Sequence, residues 1–169
     1  IWDADATVRK LYAKNGAATQ IVAQHFPEAI ENGAVSRARL RNIIAQDGTV
    51  LDRLQKMVHP LVAADRQSFI ENASAPIILL DIPLLYETGT DAMCDGVLVV
   101  SVPADLQRKR VLDRGEMTEA EFEMILERQM PDEEKRARAT WVVETLTLDG
   151  ARQSVKNIIE EIRSGLGHA

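Results

Sequence analysis

Apolar residues along the chain fall into two kinds of run. Short aliphatic blocks stand at "IWDAD" (1–5), "PIILLDIPLL" (76–85), "GVLVVSV" (96–102) and "WVVETL" (141–146), and each predicts a strand. The two middle blocks are continuous instead of alternating, as in strands covered on both faces. Elsewhere the apolar positions recur at helical spacing. From about Ala6 to Ala75 the pattern contains no strand. "TQIVAQHF" carries Ile21, Val22 and Phe26 on one face, and "SRARLRNIIAQ" offers Ser36 as a cap before Leu40, Ile43 and Ile44. "TVLDRLQKMVH" sets Val50, Leu51, Leu54, Met57 and Val58 on one stripe. Pro60 then suits the first turn of a new helix, "PLVAADRQSFIENA", which leaves His59 at the junction.

A second helical stretch spans 104–138. "ADLQRKRVLDR" places Gln107, Arg110 and Arg114 on one face. "TEAE" at 118–121 reads as a capping box ahead of Phe122, Ile125, Leu126 and Met130, and Pro131 starts "PDEEKRARA". A last helix over 149–163, with Val155, Ile158, Ile159 and Ile162, has the apolar stripe to pack on a sheet.

Strands alternating with helices predict an α/β fold with a parallel sheet. Ligands in such sheets bind at the carboxyl ends of the strands, which here carry Asp3 and Asp5, Asp81, and Ser101. The helical insertion at 6–75 reads as a lobe that grips a substrate, and the charged helices at 104–138 as a mobile lid.

Composition narrows this picture only a little. The chain of 169 residues is of single-domain size, with 46% hydrophobic and 27% charged residues. A net charge of −6 argues against a nucleic-acid partner, since phosphate affinity comes from clustered Lys and Arg. The single cysteine, Cys94, excludes an internal disulfide and fits a reducing cytosol. His25, His59, His168 and Cys94 show no zinc spacing. No apolar run is long enough to span a bilayer.

Five motifs stand in one order: "DAD" at 3–5, "HPLV" at 59–62, "DIPLLYE" at 81–87, "QRKRVLDR" at 107–114 and "RQMPDEEKRARA" at 128–139. Together they resemble the dephospho-CoA kinase family, from residue 1 to about 163. The resemblance implies a P-loop kinase of the nucleoside-monophosphate-kinase type. It implies transfer of the ATP γ-phosphoryl to the ribose 3′-hydroxyl of dephospho-CoA with Mg²⁺, in the cytoplasm. It also implies a strand, phosphate loop and helix of ~30 residues ahead of "IWDAD". No GxxxxGK[ST] loop occurs in these residues, so the chain as written is expected to be inactive and to leave sheet edges unpaired.

Transferred residue by residue, the resemblance makes Asp5 the base or orienting group for the attacking hydroxyl. The residue type alone also allows a solvated or helix-capping carboxylate. Asp3 becomes a helper of the substrate or a structural partner. Asp81 corresponds to a carboxylate holding Mg²⁺ through water, against a plain loop-capping role. Arg37, in "RARL", and His59 would grip the acceptor's phosphates or ribose, although an exposed helix arginine and a structural histidine fit equally. Arg110 and Arg114 match the lid arginines, Arg110 reaching both the nucleotide and the transferring phosphoryl group. The bland alternative for both is a salt-bridged helix face. Gln129 and Lys135 match more loosely. The stretch "ATWVVET" departs from the family pattern "ADxVIDN", placing Thr140, Glu144 and Thr145 where other residues are usual. Thr145 would then stand in at the adenine site. Two other readings fit the same residues: another small-molecule P-loop kinase, or a non-catalytic module binding CoA or dephospho-CoA.

Overall fold

A computed structural model describes residues 1–115 and 117–166, so His168 lies outside the described residues. The chain divides into two compact units, Ile1–Pro83 and Leu84–Ala169.

In the first unit, β1 (Trp2–Asp3) pairs in parallel with β4 (Leu80–Asp81), Trp2 opposite Leu80 and Asp3 opposite Asp81. Between them run α1 (Ala4–Tyr12), α2 (Ala17–His25), the hairpin β2 (Ile30–Glu31) and β3 (Ala34–Val35), α3 (Arg37–Gln46) and α4 (Thr49–Asn72). The predicted helical stripes supply the core. Val22, Phe26, Leu40, Val50 and Leu54 join Ala29 and Val35 in one cluster, and Leu11, Ala18 and Val58 form a second. Burial of a Val, Leu or Phe side chain contributes about 1.5–3 kcal/mol, which makes α2 and α4 the framework of the unit.

Three local expectations give way here. The hairpin breaks the strand-free stretch: Asn32 and Gly33 both hold positive φ, 52° and 80°, in the two-residue turn that Asn-Gly favours. That dipeptide was a legible signal inside "ENGA". Next, α4 runs unbroken through His59 and Pro60 instead of starting anew at the proline. Pro60 removes one amide donor, but it lies on the exposed side, where water can satisfy the freed carbonyl. Met57 and Val58 before it, and Leu61 and Val62 after it, pack into the same cluster, so tertiary burial carries the helix across. Finally, the aliphatic block at 76–85 forms only the two-residue β4, and Leu79 is 52% exposed. Among the described residues, β1 is its only ladder partner, so most of the run has nothing to pair with.

In the second unit, β5 (Leu98–Ser101) and β6 (Trp141–Glu144) pair in parallel over four positions, from Leu98 opposite Trp141 to Ser101 opposite Glu144. Val99, Ser101 and Val143 are buried, but Val100 is 63% exposed, so β5 is covered on one face and not on both. Gly96, at the entry to β5, lies under the Trp141 indole; a Cβ there would come within 2.5 Å of the ring. The helices are α5 (Ala104–Asp113), α6 (Glu119–Leu126), α7 (Asp132–Arg138) and α8 (Leu148–Leu166). The capping box forms as predicted: Thr118 Oγ1 accepts from the Glu121 amide at 3.3 Å, and Glu121 Oε2 from the Thr118 amide at 2.7 Å. Helix α8 lies along β6, where the Trp141 indole donates to Glu161 at 3.1 Å, yet its apolar stripe stays partly exposed.

Parallel strand pairs joined through helices make this an α/β fold, in agreement with the periodicity.

Candidate active site

In the first unit, the acidic candidates gather at one end of the β1–β4 pair. Asp3 ends β1 and caps α1, its Oδ1 accepting from the Ala6 amide at 2.8 Å, with Arg9 3.8 Å from Oδ2. This cap turns the chain helical at Ala4. Asp5 therefore stands in the first turn of α1, not at a strand end as the sequence pattern suggested. It is exposed and has no side-chain partner among the described residues. A carboxylate there is also favoured by the helix's N-terminal dipole. Asp81 ends β4 directly beside Asp3, so the two side chains leave the pair on the same face. Asp81 is likewise exposed and unpaired among the described residues.

His59 projects from α4 into an open groove of about 550 Å³ lined by Asp52, Gln55, Lys56, His59, Pro60 and Ala63. Arg37 opens α3 after Ser36, which occupies the cap position without a capping bond. The neighbouring Arg39 clamps the hairpin by donating to the Ile30 carbonyl at 2.7 Å and to Glu31 at 2.9 Å. Arg37 makes no such bond among the described residues, but its charge lies near the Tyr12 hydroxyl. Burial pushes that hydroxyl's pKa up, and Arg37 opposes the shift.

The second unit joins two of its candidates directly. Arg110 donates through Nη1 to Thr145 Oγ1 at 3.2 Å and through Nη2 to the Thr145 carbonyl at 2.8 Å. Thr145 is itself held by Ser101, whose carbonyl accepts its amide at 2.9 Å and its hydroxyl at 3.3 Å. Arg114 caps the end of α5 and is exposed, without an ion pair among the described residues. The salt bridges on this helix belong to Arg108, which pairs with Glu119 at 2.5 Å and with Glu123, and to Lys109, which pairs with Asp113 at 2.5 Å.

A smaller cavity of about 200 Å³ is bounded by Ser101, Gln107, Asp132, Arg136 and Glu144 together with Val102, Pro103 and Ala104. Ser101, 3% exposed, donates to Asp132 at 2.6 Å and accepts from Arg136 at 3.2 Å, while Arg136 also grips Glu144 at 3.1 Å. The residues that depart from the family pattern thus have local work. Glu144 holds Arg136, and the Thr140 hydroxyl accepts from the Val97 amide at 3.0 Å.

The comparisons with known proteins agree with one another. The dephospho-CoA kinase family profile matches residues 1–148. The chain belongs to the dephospho-CoA kinase family. The dephospho-CoA kinase of Cereibacter sphaeroides is 57% identical over 96% of this chain and 83% of its own length. That of Ruegeria pomeroyi is 50% identical over 100% of this chain and 86% of its own. A crystal structure from Thermus thermophilus superposes with a TM-score of 0.79 at 31% identity, covering 95% of this chain and 83% of the other. The dephospho-CoA kinase structure from Campylobacter jejuni, with a TM-score of 0.69 at 23% identity, shares the fold over 97% of this chain and 85% of its own. The architecture is accordingly the P-loop NTPase type that the motifs implied.

Within this dephospho-CoA kinase framework, sequence reasoning passed over two anchoring groups. Glu87, the last residue of "DIPLLYE", pairs with Lys135 at 2.7 Å and accepts from the Met130 amide at 2.9 Å. Burial pushes the Glu87 carboxyl up, but Lys135 and the backbone donors together hold it below the ordinary range. Arg138 reaches Asp91 at 3.1 Å and covers the Tyr86 ring at 4.4 Å. Both anchors tie α7 to the segment after β4, and both lie in motifs whose family match was visible. A third omission, Asp65, had no sequence signal because its partners lie 55–63 residues away.

Among the described residues no helix is long and apolar enough to cross a membrane, and no three His, Cys, Asp or Glu converge as a metal cage.

Proposed function

We propose that this chain carries the acceptor site and the lid of an enzyme that phosphorylates the ribose 3′-hydroxyl of dephospho-CoA, giving CoA and ADP in the cytoplasm. The observation that carries the reading is the register of β1 and β4. Asp3 lies opposite Asp81, and Asp5 follows in the next turn at the carboxyl end of the pair, where α/β enzymes bind ligands.

In the reaction the acceptor's 3′-oxygen attacks the γ-phosphorus of ATP. A new O–P bond forms, the bond to the β-phosphate bridging oxygen breaks, and ADP leaves with that electron pair. Asp5 aligns the hydroxyl and takes its proton; an exposed carboxylate with no side-chain partner among the described residues is free for this role. His59 and Arg37 hold the ribose and phosphates of the acceptor, with the α4 groove receiving part of that molecule. Arg110, fixed by Thr145, faces the nucleotide, and Arg114 closes on the phosphates. Helices α5–α7 form the lid. Asp3 acts mainly through its cap, which fixes the start of α1.

Magnesium fits the residues present. It typically keeps several waters and needs only one or two carboxylates besides the substrate phosphates, and Asp81 offers an exposed one, unpaired among the described residues. Bound there, the ion would neutralise phosphate charge.

Turnover of dephospho-CoA with ATP and Mg²⁺ by the full-length natural protein tests the reading. CoA formation is expected, with kcat down about 10²–10⁴-fold in Asp5→Asn and ATP binding nearly unchanged. A full-length protein that binds dephospho-CoA but makes no CoA would replace this reading with that of a non-catalytic binding module.

A further inference from the structure

The least expected side-chain cluster lies behind the acidic strand ends. Asp65, on the inner side of α4, gathers three donors from β1 and α1. The Trp2 indole donates to its Oδ1 at 2.9 Å, the Thr7 hydroxyl to the same oxygen at 3.2 Å, and Lys10 to Oδ2 at 2.9 Å. Trp2 is 4% and Thr7 6% exposed. Next to it, the Arg66 guanidinium lies 6.0 Å from the Trp2 ring, with its Nε buried and unpaired among the described residues.

The donors bracket Asp5, with Trp2 three residues before it and Thr7 two after. On α4, His59 and its groove lie about 9 Å along the axis from Asp65, at 1.5 Å per residue. One carboxylate therefore links the helix that lines the acceptor groove to the turn that carries the base.

We propose that Asp65 is a positioning residue. It locks α1 against α4 so that Asp5 meets an acceptor held in the α4 groove. This inference rests on the assignment of Asp5 as base and of the α4 groove as acceptor site. A half-buried carboxylate bound by three donors from a single neighbouring segment holds that segment in one register. Loss of the register misplaces Asp5 without removing any group that touches a substrate. A misplacement of about 1 Å can cost ~10²-fold in rate.

The test compares wild type, Asp65→Asn, Lys10→Met and Asp5→Asn in the full-length natural protein. Asp65→Asn is expected to lower kcat about 10- to 100-fold, with KM for ATP and calorimetric affinity for dephospho-CoA within about twofold. Lys10→Met, at an exposed position, is expected to lower kcat severalfold in the same direction. Combined with Asp5→Asn, Asp65→Asn should cause no further loss, because a positioning residue has nothing left to position. An additive loss in that double variant points to a merely structural role and overturns the proposal. So does an unchanged kcat in Asp65→Asn or, should that variant not fold, in Lys10→Met. Wild type that makes no CoA would defeat the underlying assignment instead, a distinct result.

Discussion

Arg110 and Thr145 meet through two hydrogen bonds, one to the Thr145 hydroxyl at 3.2 Å and one to its carbonyl at 2.8 Å. The pair joins α5 to the residue just after β6, 35 positions later in the chain. The guanidinium is thereby aimed by a short, stiff partner and not left to sample solvent. Arg110→Lys keeps the charge but loses the planar two-point contact. We expect KM for ATP to rise about tenfold in Arg110→Lys, against about two- to threefold in Thr145→Val, which leaves the stronger carbonyl contact in place. Steady-state kinetics at varied ATP decides this. Equal effects from the two substitutions would mean that the hydroxyl, not the carbonyl, does the aiming.

Asp65 gives the fold a dependence on acid. The Lys10 and Trp2 hydrogen bonds, aided by Thr7, hold its carboxyl below the ordinary carboxylate range in spite of burial. The folded protein thus binds this proton less readily than the unfolded chain. The stabilisation is present above the unfolded value, about pH 4, and is lost as pH falls through the lower folded value. Urea midpoints for wild type and Asp65→Asn should differ at pH 7 and converge below about pH 4. A constant difference across that window would show that Asp65 is not the titrating group.

Glu87 and Lys135 form the most enclosed ion pair described, with side chains 16% and 17% exposed. Glu87 also holds the Met130 amide, so its replacement loosens the start of α7 as well as the charge pair. Glu87→Gln should cost about 1–3 kcal/mol in denaturant unfolding, since it strands a largely buried ammonium. Lys135→Met should cost a similar amount, because it leaves the largely buried Glu87 carboxylate without its cation. A double-mutant cycle with coupling near zero would show that the pair contributes little.

Pro60 sits inside α4, where it removes a backbone donor from an otherwise continuous helix of 24 residues. Pro60→Ala restores that donor and should raise stability by about 1–3 kcal/mol, read from the urea midpoint. Because Pro60 also lines the α4 groove, the same variant should weaken dephospho-CoA binding in calorimetry. A variant that is both less stable and unchanged in binding would contradict this account of the proline.

Much of the framework was legible from local pattern. The four strand blocks, the helical stripe ending in Val58, and the capping box at Thr118 and Glu121 each depend on neighbours within a few residues, so periodicity and residue type reveal them. The motif order likewise pointed to the family. The candidate residues Asp5, Asp81, His59, Arg37 and Arg114 could be named in advance because each falls within a short recognisable stretch, or within a helical face read from spacing.

What local pattern could not decide were the relationships between distant residues. "HP" reads as a helix start, yet α4 passes through it because Val58 and Leu61 pack into one cluster whose burial outweighs the missing amide. "IWDAD" reads as a strand of five, yet only Trp2 and Asp3 pair with β4, and the Asp3 cap turns the rest into helix. Asp65 looks like any helical acid until Trp2, Thr7 and Lys10 arrive from the far end of the unit. Residue type and spacing set which elements form and which groups can do chemistry. The partners of each polar group, and so the position and charge in which it is held, arise only when folding brings separate segments within hydrogen-bonding reach.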